Sequence, residues 1–293
     1  MMTKKNVKDP DMKKDFAVFI LSHGRAKEMT TVNMLKKYKY TGQWYVVIDN
    51  EDEQAPQYIM RYGKNHVIIF DKAAEEKKMD TGDNGGSRKC GVFARNFIID
   101  EADRRGYKYH VQLDDDYQGF DFRYIRDGKL KAKHVDNIDE LFRVSLRFFV
   151  NADLDCLAYG IFADYFGGAG NSRYYKGVMR KTMNVFFLRA DRKFYFVARM
   201  NDDVTTNLVN TKVGKKLLSV LYVQTRMPAT QTMKGGMTEV YTDEGTYMKS
   251  FYSVMFEPSA CRVDATMKHM KRVHHKIRWN LIAPKIISEK YKK

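Results

Sequence analysis

Four short apolar runs, each ending on polar or acidic residues, leave this chain few folds to choose from. Phe16–Leu21 (FAVFIL) leads into Ser22-His23-Gly24-Arg25, and Trp44–Ile48 (WYVVI) stops at Asp49. His66–Phe70 (HVIIF) stops at Asp71, and Tyr109–Leu113 (YHVQL) runs straight into Asp114-Asp115-Asp116. Apolar runs of this length, bounded by loop signals, read as strands buried on both faces. Helical spacing fills the gaps: a stretch over about 26–37, and another with Cys90, Phe93, Ala94, Phe97, Ile98 and Ala102, stopped by Gly106. Alternating strands and helices imply a mostly parallel α/β sheet with helices on both faces. Ligands of such sheets gather at the carboxyl ends of the strands. The loops 22–25, 49–53, 80–88 and 114–116 are therefore expected on one rim.

The second half reads differently. Asn137 with Glu140 three residues on signals a helix start, with apolar residues at Ile138, Leu141, Phe142, Leu146 and Phe149. Strand-like pieces follow at Cys156–Phe162, Met183–Leu188 and Leu217–Val223. Asn201-Asp202-Asp203 opens a helix running to about Val213. The scarcity of proline, 5 residues, and the lack of a Ser/Gly/Pro-rich linker point to one globular unit. Its expected parts are a charged tail (1–15), a nucleotide-binding half (16–120), an acceptor-binding half (121–261) and a basic tail (262–293).

Consecutive aspartates at a strand end are costly. Alternation points Asp114 and Asp116 one way and Asp115 the other. Neighbouring carboxylates repel, so a hard divalent cation, Mn²⁺ or Mg²⁺, is expected there, at Asp116 and Asp114. The structural alternative is a solvated acidic turn. On the same rim Asp49 can accept from a base or ribose, and Arg25 and Arg88 suit phosphate oxygens. Gly85 and Gly86 would let backbone amides approach a diphosphate. Ser22 and His23 complete this donor side, although His23 could equally cap backbone groups. No GxxxxGK[ST] loop occurs, which argues against a P-loop enzyme.

FILSHGR, WYVVIDN, RKCGVFARNF and VQLDDD, in that order, resemble the nucleotide-binding half of GT-A glycosyltransferases. The resemblance covers residues 16–120 well and the rest loosely. It implies that Asp49 holds the nucleobase and that Arg25, Arg88, Arg95 and Asn96 lie on the donor side. It further implies that Asp114, Asp115 and Asp116 form the Asp-x-Asp motif, whose metal bridges a sugar-nucleotide diphosphate. An acidic pair at a helix start on the acceptor side matches Asp202 and Asp203, making Asp203 the candidate base; the plain reading is an Asn201 N-cap followed by first-turn acids. A late histidine often joins the metal in that family, for which His269, His274 and His275 are the candidates.

Net charge is +16, and it is unevenly spread. Residues 1–172 hold 28 basic and 27 acidic groups, while 173–199 hold 8 against 1 and 262–293 hold 10 against 2. Such concentration suits a polyanion. The segment SRYYKGVMRK interleaves aromatic and basic residues, so Arg173, Lys176, Arg180 and Lys181, with Lys271 and Arg272 in the tail, are expected to contact nucleic acid. Trp279 is expected in the core. A compact basic GT-A enzyme resembles the phage enzymes that glycosylate hydroxymethylated pyrimidines in duplex DNA. That resemblance implies modified double-stranded DNA as acceptor, and the nucleotide of the donor, which the sequence does not reveal, is taken as UDP. Rival readings are a polysaccharide, lipid or protein acceptor, a non-catalytic nucleic-acid binder, and a two-metal nuclease.

No run approaches the roughly 18–20 apolar residues that span a bilayer, and the charged start lacks a signal-peptide core. Cys90, Cys156 and Cys261 lie far apart, as in a reducing compartment. A cytoplasmic protein is expected, in the host cytoplasm for a phage enzyme.

Overall fold

A computed structural model describes residues 9–83, 88–170, 181–228, 247–266 and 272–282. The first half alternates as its apolar runs require. In order come β1 (Phe16–Leu21), α1 (Thr30–Lys37), β2 (Gln43–Asp49), α2 (Ala55–Tyr62), β3 (Val67–Phe70), α3 (Lys72–Glu76), α4 (Val92–Arg104) and β4 (Tyr109–Asp114). The second half adds β5 (Gly119–Arg126), β6 (Lys129–His134), α5 (Ile138–Asn151), β7 (Cys156–Gly160), β8 (Phe186–Arg189), α6 (Asp202–Lys212) and β9 (Leu217–Arg226). Beyond these lie α7 (Lys249–Phe256), β10 (Cys261–Thr266), β11 (Arg272–Ile277) and α8 (Trp279–Ile282).

Nine strands form one sheet in the order β3-β2-β1-β4-β8-β7-β9-β5-β6. The pairings β3–β2, β2–β1, β1–β4 and β7–β9 are parallel; only β8 and β5 run against the rest. Along β1, Phe16, Val18 and Ile20 enter one core with α1, α2 and α5, while Ala17 and Phe19 enter the other with α4. Both faces are covered, which is why FAVFIL shows no alternation.

Local signals set several boundaries. Asn137 Oδ1 accepts from the Glu140 amide at 2.9 Å, the cap its sequence called for and worth about 1 kcal/mol. Gly106, with φ of 83°, follows α4 in the left-handed region that glycine tolerates. α1 starts at Thr30, later than the expected 26, because residues 22–29 stay irregular to line the rim. Thr31, in its first turn, donates to the Asp114 carbonyl at 2.6 Å and so fixes the end of β4. The strand expected at 183–188 forms at Phe186–Arg189.

The supposed basic tail is structured where it is described. β11 pairs with β10, and Trp279 packs on Val204, Leu208 and Ile282 beneath α6. Among the described residues no helix is long and apolar enough to cross a membrane.

Candidate active site

The parallel order β3-β2-β1-β4 brings the ends of these strands to one rim. Asp49, at the end of β2, is buried; its Oδ2 meets His23 Nδ1 at 2.8 Å and Lys72 Nζ at 3.3 Å. Burial pushes the Asp49 carboxyl up, but the His23 hydrogen bond and the Lys72 charge outweigh it and leave it below its ordinary value. The same bond raises the His23 imidazole. Asp52 anchors the loop by accepting from the Gly24 amide at 2.8 Å. Asp49→Asn should therefore return the His23 pKa toward 6.5 in an NMR titration. An unchanged value would mean that the pair does not control the imidazole.

Lys72 is the member of this group that the sequence did not suggest. It is a nearly fully buried lysine at the start of α3, 23 positions from its partner, and only its place after a rim-ending strand hinted at it. Arg88 pairs with Glu51 at 2.7 Å, which places it beside the Asp49 loop. Gly85 and Gly86 lie outside the described residues.

β4 ends at Asp114, and the three aspartates part at the turn that follows it. Asp115 faces β1 and is buried. Its carboxylate accepts from Ser22 Oγ at 2.5 Å and Arg25 Nη1 at 2.9 Å. Tyr58 supports that corner, with its hydroxyl 2.7 Å from Ser22 Oγ and accepting from the Arg25 amide at 2.8 Å. Ser22 and Arg25 are thus engaged by Asp115. Asp114 turns to α4, where Arg95 Nη2 donates to its Oδ1 at 2.7 Å and the Tyr117 hydroxyl to its Oδ2 at 3.2 Å. Expected beside Asp116 as a metal ligand, Asp114 is instead the counter-charge of a buried arginine.

Asp116 has the strongest case for a cation. Its Oδ1 is buried with no hydrogen-bond partner. Burial, then the charges of Asp114 and Asp115, push its carboxyl up to about 7. Among the described residues no three carboxylate, histidine or cysteine side chains converge as a ready-made site. The orphaned oxygen and surplus negative charge still fit a hard divalent ion that takes most of its ligands from water and phosphate.

Arg95 joins this centre to the second half. Its guanidinium lies over the rings of Phe186 and Phe196, at 4.9 and 5.5 Å, and its Nε is 3.9 Å from Asp202 Oδ2. Burial opposes its charge; Asp114 and Asp202 more than restore it. Asp202 itself is pushed up to about 6, first by burial and then by Asp203, with Arg95 opposing. Asp203 looks elsewhere, with Lys181 Nζ at 3.7 Å from Oδ2 and Oδ1 accepting from the Val204 amide at 2.8 Å.

Asn201 does not cap α6. It adopts a left-handed conformation (φ 56°, ψ 31°), and its Nδ2 donates to Ser253 Oγ at 2.6 Å and to His275 Nδ1 at 3.3 Å. The purely structural reading of Asn201-Asp202-Asp203 thus loses its cap. Arg199 secures this segment by pairing with Asp83 at 2.8 Å, and the Arg199 amide donates to the Thr81 carbonyl at 2.8 Å. The 80–83 loop and the start of α6 are thereby joined.

Other expected site residues fall elsewhere. The Asn96 amide exchanges hydrogen bonds with the Phe196 backbone, at 2.9 and 2.7 Å, so it braces α4 rather than facing the rim. His275 sits by Asn201; burial pushes its imidazole down to about 3, and Lys181 and His274 add to this. The His274 ring meets His275 edge-on at 4.2 Å. Arg173, Lys176, Arg180, His269 and Lys271 lie outside the described residues, as does the side chain of Arg272. Lys181, expected on nucleic acid, instead reaches Asp203.

The family model for TET-Associated Glycosyltransferase matches residues 16–236. The chain belongs to the TET-associated glycosyltransferase family. This match runs from β1 through β9, so it takes in the rim, Asp116 and the Asp202–Asp203 pair. No curated protein matches the chain.

Solved structures similar to this TET-associated glycosyltransferase include S. aureus TarS 1-349, at 14% identity and a TM-score of 0.42, covering 82% of this chain and 65% of that one. The chain thus spans just under two thirds of that relative's length. The mannosyltransferase PcManGT from Pyrobaculum calidifontis, in complex with GDP-Man and Mn²⁺, matches at 10% identity and TM-score 0.46, covering 86% and 75%. Glucosyl-3-phosphoglycerate synthase from Mycobacterium tuberculosis, with Mg²⁺ and UDP, matches at 6% and 0.45, covering 90% and 87%.

Proposed function

We propose that this chain moves a sugar from a nucleotide-sugar donor, a UDP-sugar, to a hydroxymethylated pyrimidine in duplex DNA, with Mn²⁺ or Mg²⁺ at Asp116. The observation that carries this reading is the buried, unpartnered Asp116 Oδ1 beside two further carboxylates. A bound divalent cation there would neutralise the donor diphosphate as it leaves. The Asp49–His23–Lys72 group holds the nucleoside end, and Arg88 lies close enough to serve the donor.

Asp202 is the better base of the acidic pair. Its raised carboxyl, near 6, suits proton abstraction close to neutral pH, and it adjoins Asp114 through Arg95. Asp203, preferred from the sequence, is turned toward Lys181. In the reaction the acceptor hydroxyl gives its proton to Asp202 and its oxygen bonds to the anomeric carbon. The bond from that carbon to the diphosphate oxygen breaks, and nucleoside diphosphate departs with the electron pair.

The acceptor assignment rests on the net charge of +16, on the likeness to DNA-modifying enzymes, and on a family named for its association with TET. The test is incorporation of labelled sugar, from a panel of sugar nucleotides with Mn²⁺, into hydroxymethylated against plain duplex. Label should enter only the hydroxymethylated DNA, and Asp202→Asn should reduce the rate about 10²-fold or more. Equal labelling of a polysaccharide or protein, indifferent to DNA, would refute the acceptor.

A further inference from the structure

The charge that matters for a polyanion is charge left unpaired, and most of the described basic residues in 173–199 are internally engaged. Arg189 pairs with Asp191 at 2.8 Å, Arg192 with Asp153 at 2.7 Å and Lys193 with Asp103 at 2.7 Å. Arg199 is buried against Asp83. Among the described residues, a row of cations without buried acidic partners lies on the hairpin β5–β6, in a stretch whose near-neutral surroundings concealed it.

This hairpin forms one edge of the sheet, and its antiparallel register sorts its residues by face. Phe122 lies opposite Lys133, Tyr124 opposite Lys131, and Arg126 opposite Lys129. All six are exposed, Phe122 at 42% and Tyr124 at 40%. They comprise two rings and four cations, with no acid among them. Among the described residues Lys129, Lys131 and Lys133 have no acidic partner. Among the described residues Arg126 meets only its exposed neighbour Asp127, at 3.7 Å. The reverse face is occupied: Arg123 lies over the Tyr165 ring at 4.6 Å, and Asp121 is buried against His134 and Arg226.

Lysines on an edge strand also discourage strand addition. That explains the cations but not the two exposed rings set opposite them, which raise the very risk that the lysines lower. A strand advances about 3.3 Å per residue, so alternate lysines present a charge about every 6.6 Å. One strand of B-DNA rises about 3.4 Å per phosphate and winds about the axis as it does so, which sets successive phosphates about 6–7 Å apart through space, so the lysines fall in step with successive phosphates. A two-stranded ribbon is also of a width that the major groove admits. β5 begins three residues after Asp116, so the Phe122–Lys133 end of this face lies toward the carboxylate rim.

We propose that this face of β5–β6 binds the sugar-phosphate backbone of duplex DNA. Lys129, Lys131, Lys133 and Arg126 meet phosphates, while Phe122 and Tyr124 pack on sugar or on an unstacked base. This rests on the DNA-acceptor reading, and the following test separates the two.

Binding of a plain duplex is followed by fluorescence anisotropy across a salt series. Three proteins are compared: the unsubstituted protein, the triple variant Lys129→Gln, Lys131→Gln, Lys133→Gln, and the double variant Phe122→Ala, Tyr124→Ala. The triple variant should bind at least 10-fold more weakly at low salt, and its log–log salt slope should shrink by nearly 3, at about 0.9 per lost phosphate contact. The double variant should weaken binding and keep the slope. Donor hydrolysis without DNA should be unchanged in both, which shows the donor site folded. Unaltered affinity and slope in the triple variant would overturn the proposal. So would aggregation of that variant with unaltered affinity, or binding of heparin or anionic vesicles as tight as that of duplex. Loss of slope in the triple variant, with no transfer to hydroxymethylated DNA by the unsubstituted protein, would keep this surface and remove the acceptor reading.

Discussion

Asp116→Asn should cut sugar transfer by about three orders of magnitude and yet make the cation-free protein more stable. The folded-state carboxyl sits near 7 against an ordinary 3.8, because burial and two adjacent carboxylates disfavour its charge. Between those values the folded state holds the proton and the unfolded state has released it. Stability therefore falls as pH rises through the window from about 4 to 7, and above it the full charge is borne. An amide of the same shape removes that burden.

At pH 8 with chelator, Asp116→Asn should melt a few degrees higher than the unsubstituted protein, at about 2–4 °C per kcal/mol for a chain of this size. At pH 3, where the aspartate is protonated in the folded and the unfolded states alike, the difference should vanish. Mn²⁺ should raise the melting temperature of the unsubstituted protein at pH 8, much less at pH 5, and should leave the variant unmoved. Turnover should fall by about 10³-fold, as expected when several kcal/mol of charge stabilisation is lost. A variant that melts lower at pH 8 without metal would contradict the charge-repulsion account.

Arg95 is the second position with a large expected effect. Among the described residues it is the one cation bonded to Asp114, it approaches Asp202, and it is packed against two phenylalanine rings. Arg95→Met keeps volume but leaves Asp114 without its counter-charge. Removing one partner of a buried pair costs about 3–5 kcal/mol, and the partial exposure of both carboxylates places this case at the lower end. The melting temperature should drop by roughly 6–12 °C. Arg95 also opposes the rise at Asp202, so its loss should move the acid limb of the rate profile to higher pH. Arg95→Lys should recover part of the stability and little of the rate, since an ammonium lacks the planar stack. A loss below about 1 kcal/mol with an unmoved pH profile would show that Arg95 does not couple the two halves.

The parts of this architecture legible in the sequence were those that local pattern dictates. β1, β2 and β4 announced themselves because parallel strands covered on both faces need continuous apolar runs. Strand alternation did not reach Asp115 and Asp116, which lie in the turn after β4, whereas the cap at Asn137 needed only three residues to be seen. Contacts made by folding were hidden. Lys72 pairs with Asp49, Tyr58 supports Ser22 and Arg25, and Asp114 meets Arg95, each across a sequence gap that carries no periodicity. Asn201 had the composition of a cap, but the left-handed turn and Ser253 claimed it.

Charge counting is blind to pairing for a related reason. A segment total does not distinguish Arg199, buried on Asp83, from Lys131, exposed on a ribbon. KLKAKH shows alternation only once its partner strand is known, and without that it reads as a solvated run.

Mass spectrometry of nucleosides tests the central claim most directly. Hydroxymethylated duplex is incubated with the protein, Mn²⁺ and a panel of sugar nucleotides, then digested. The account predicts a glycosylated hydroxymethyl nucleoside with one donor class, absent with chelator, absent from plain DNA and absent with Asp116→Asn. Hydroxymethyl nucleosides recovered unchanged with every donor, while the same protein and Mn²⁺ consume a sugar nucleotide on another acceptor, would contradict it.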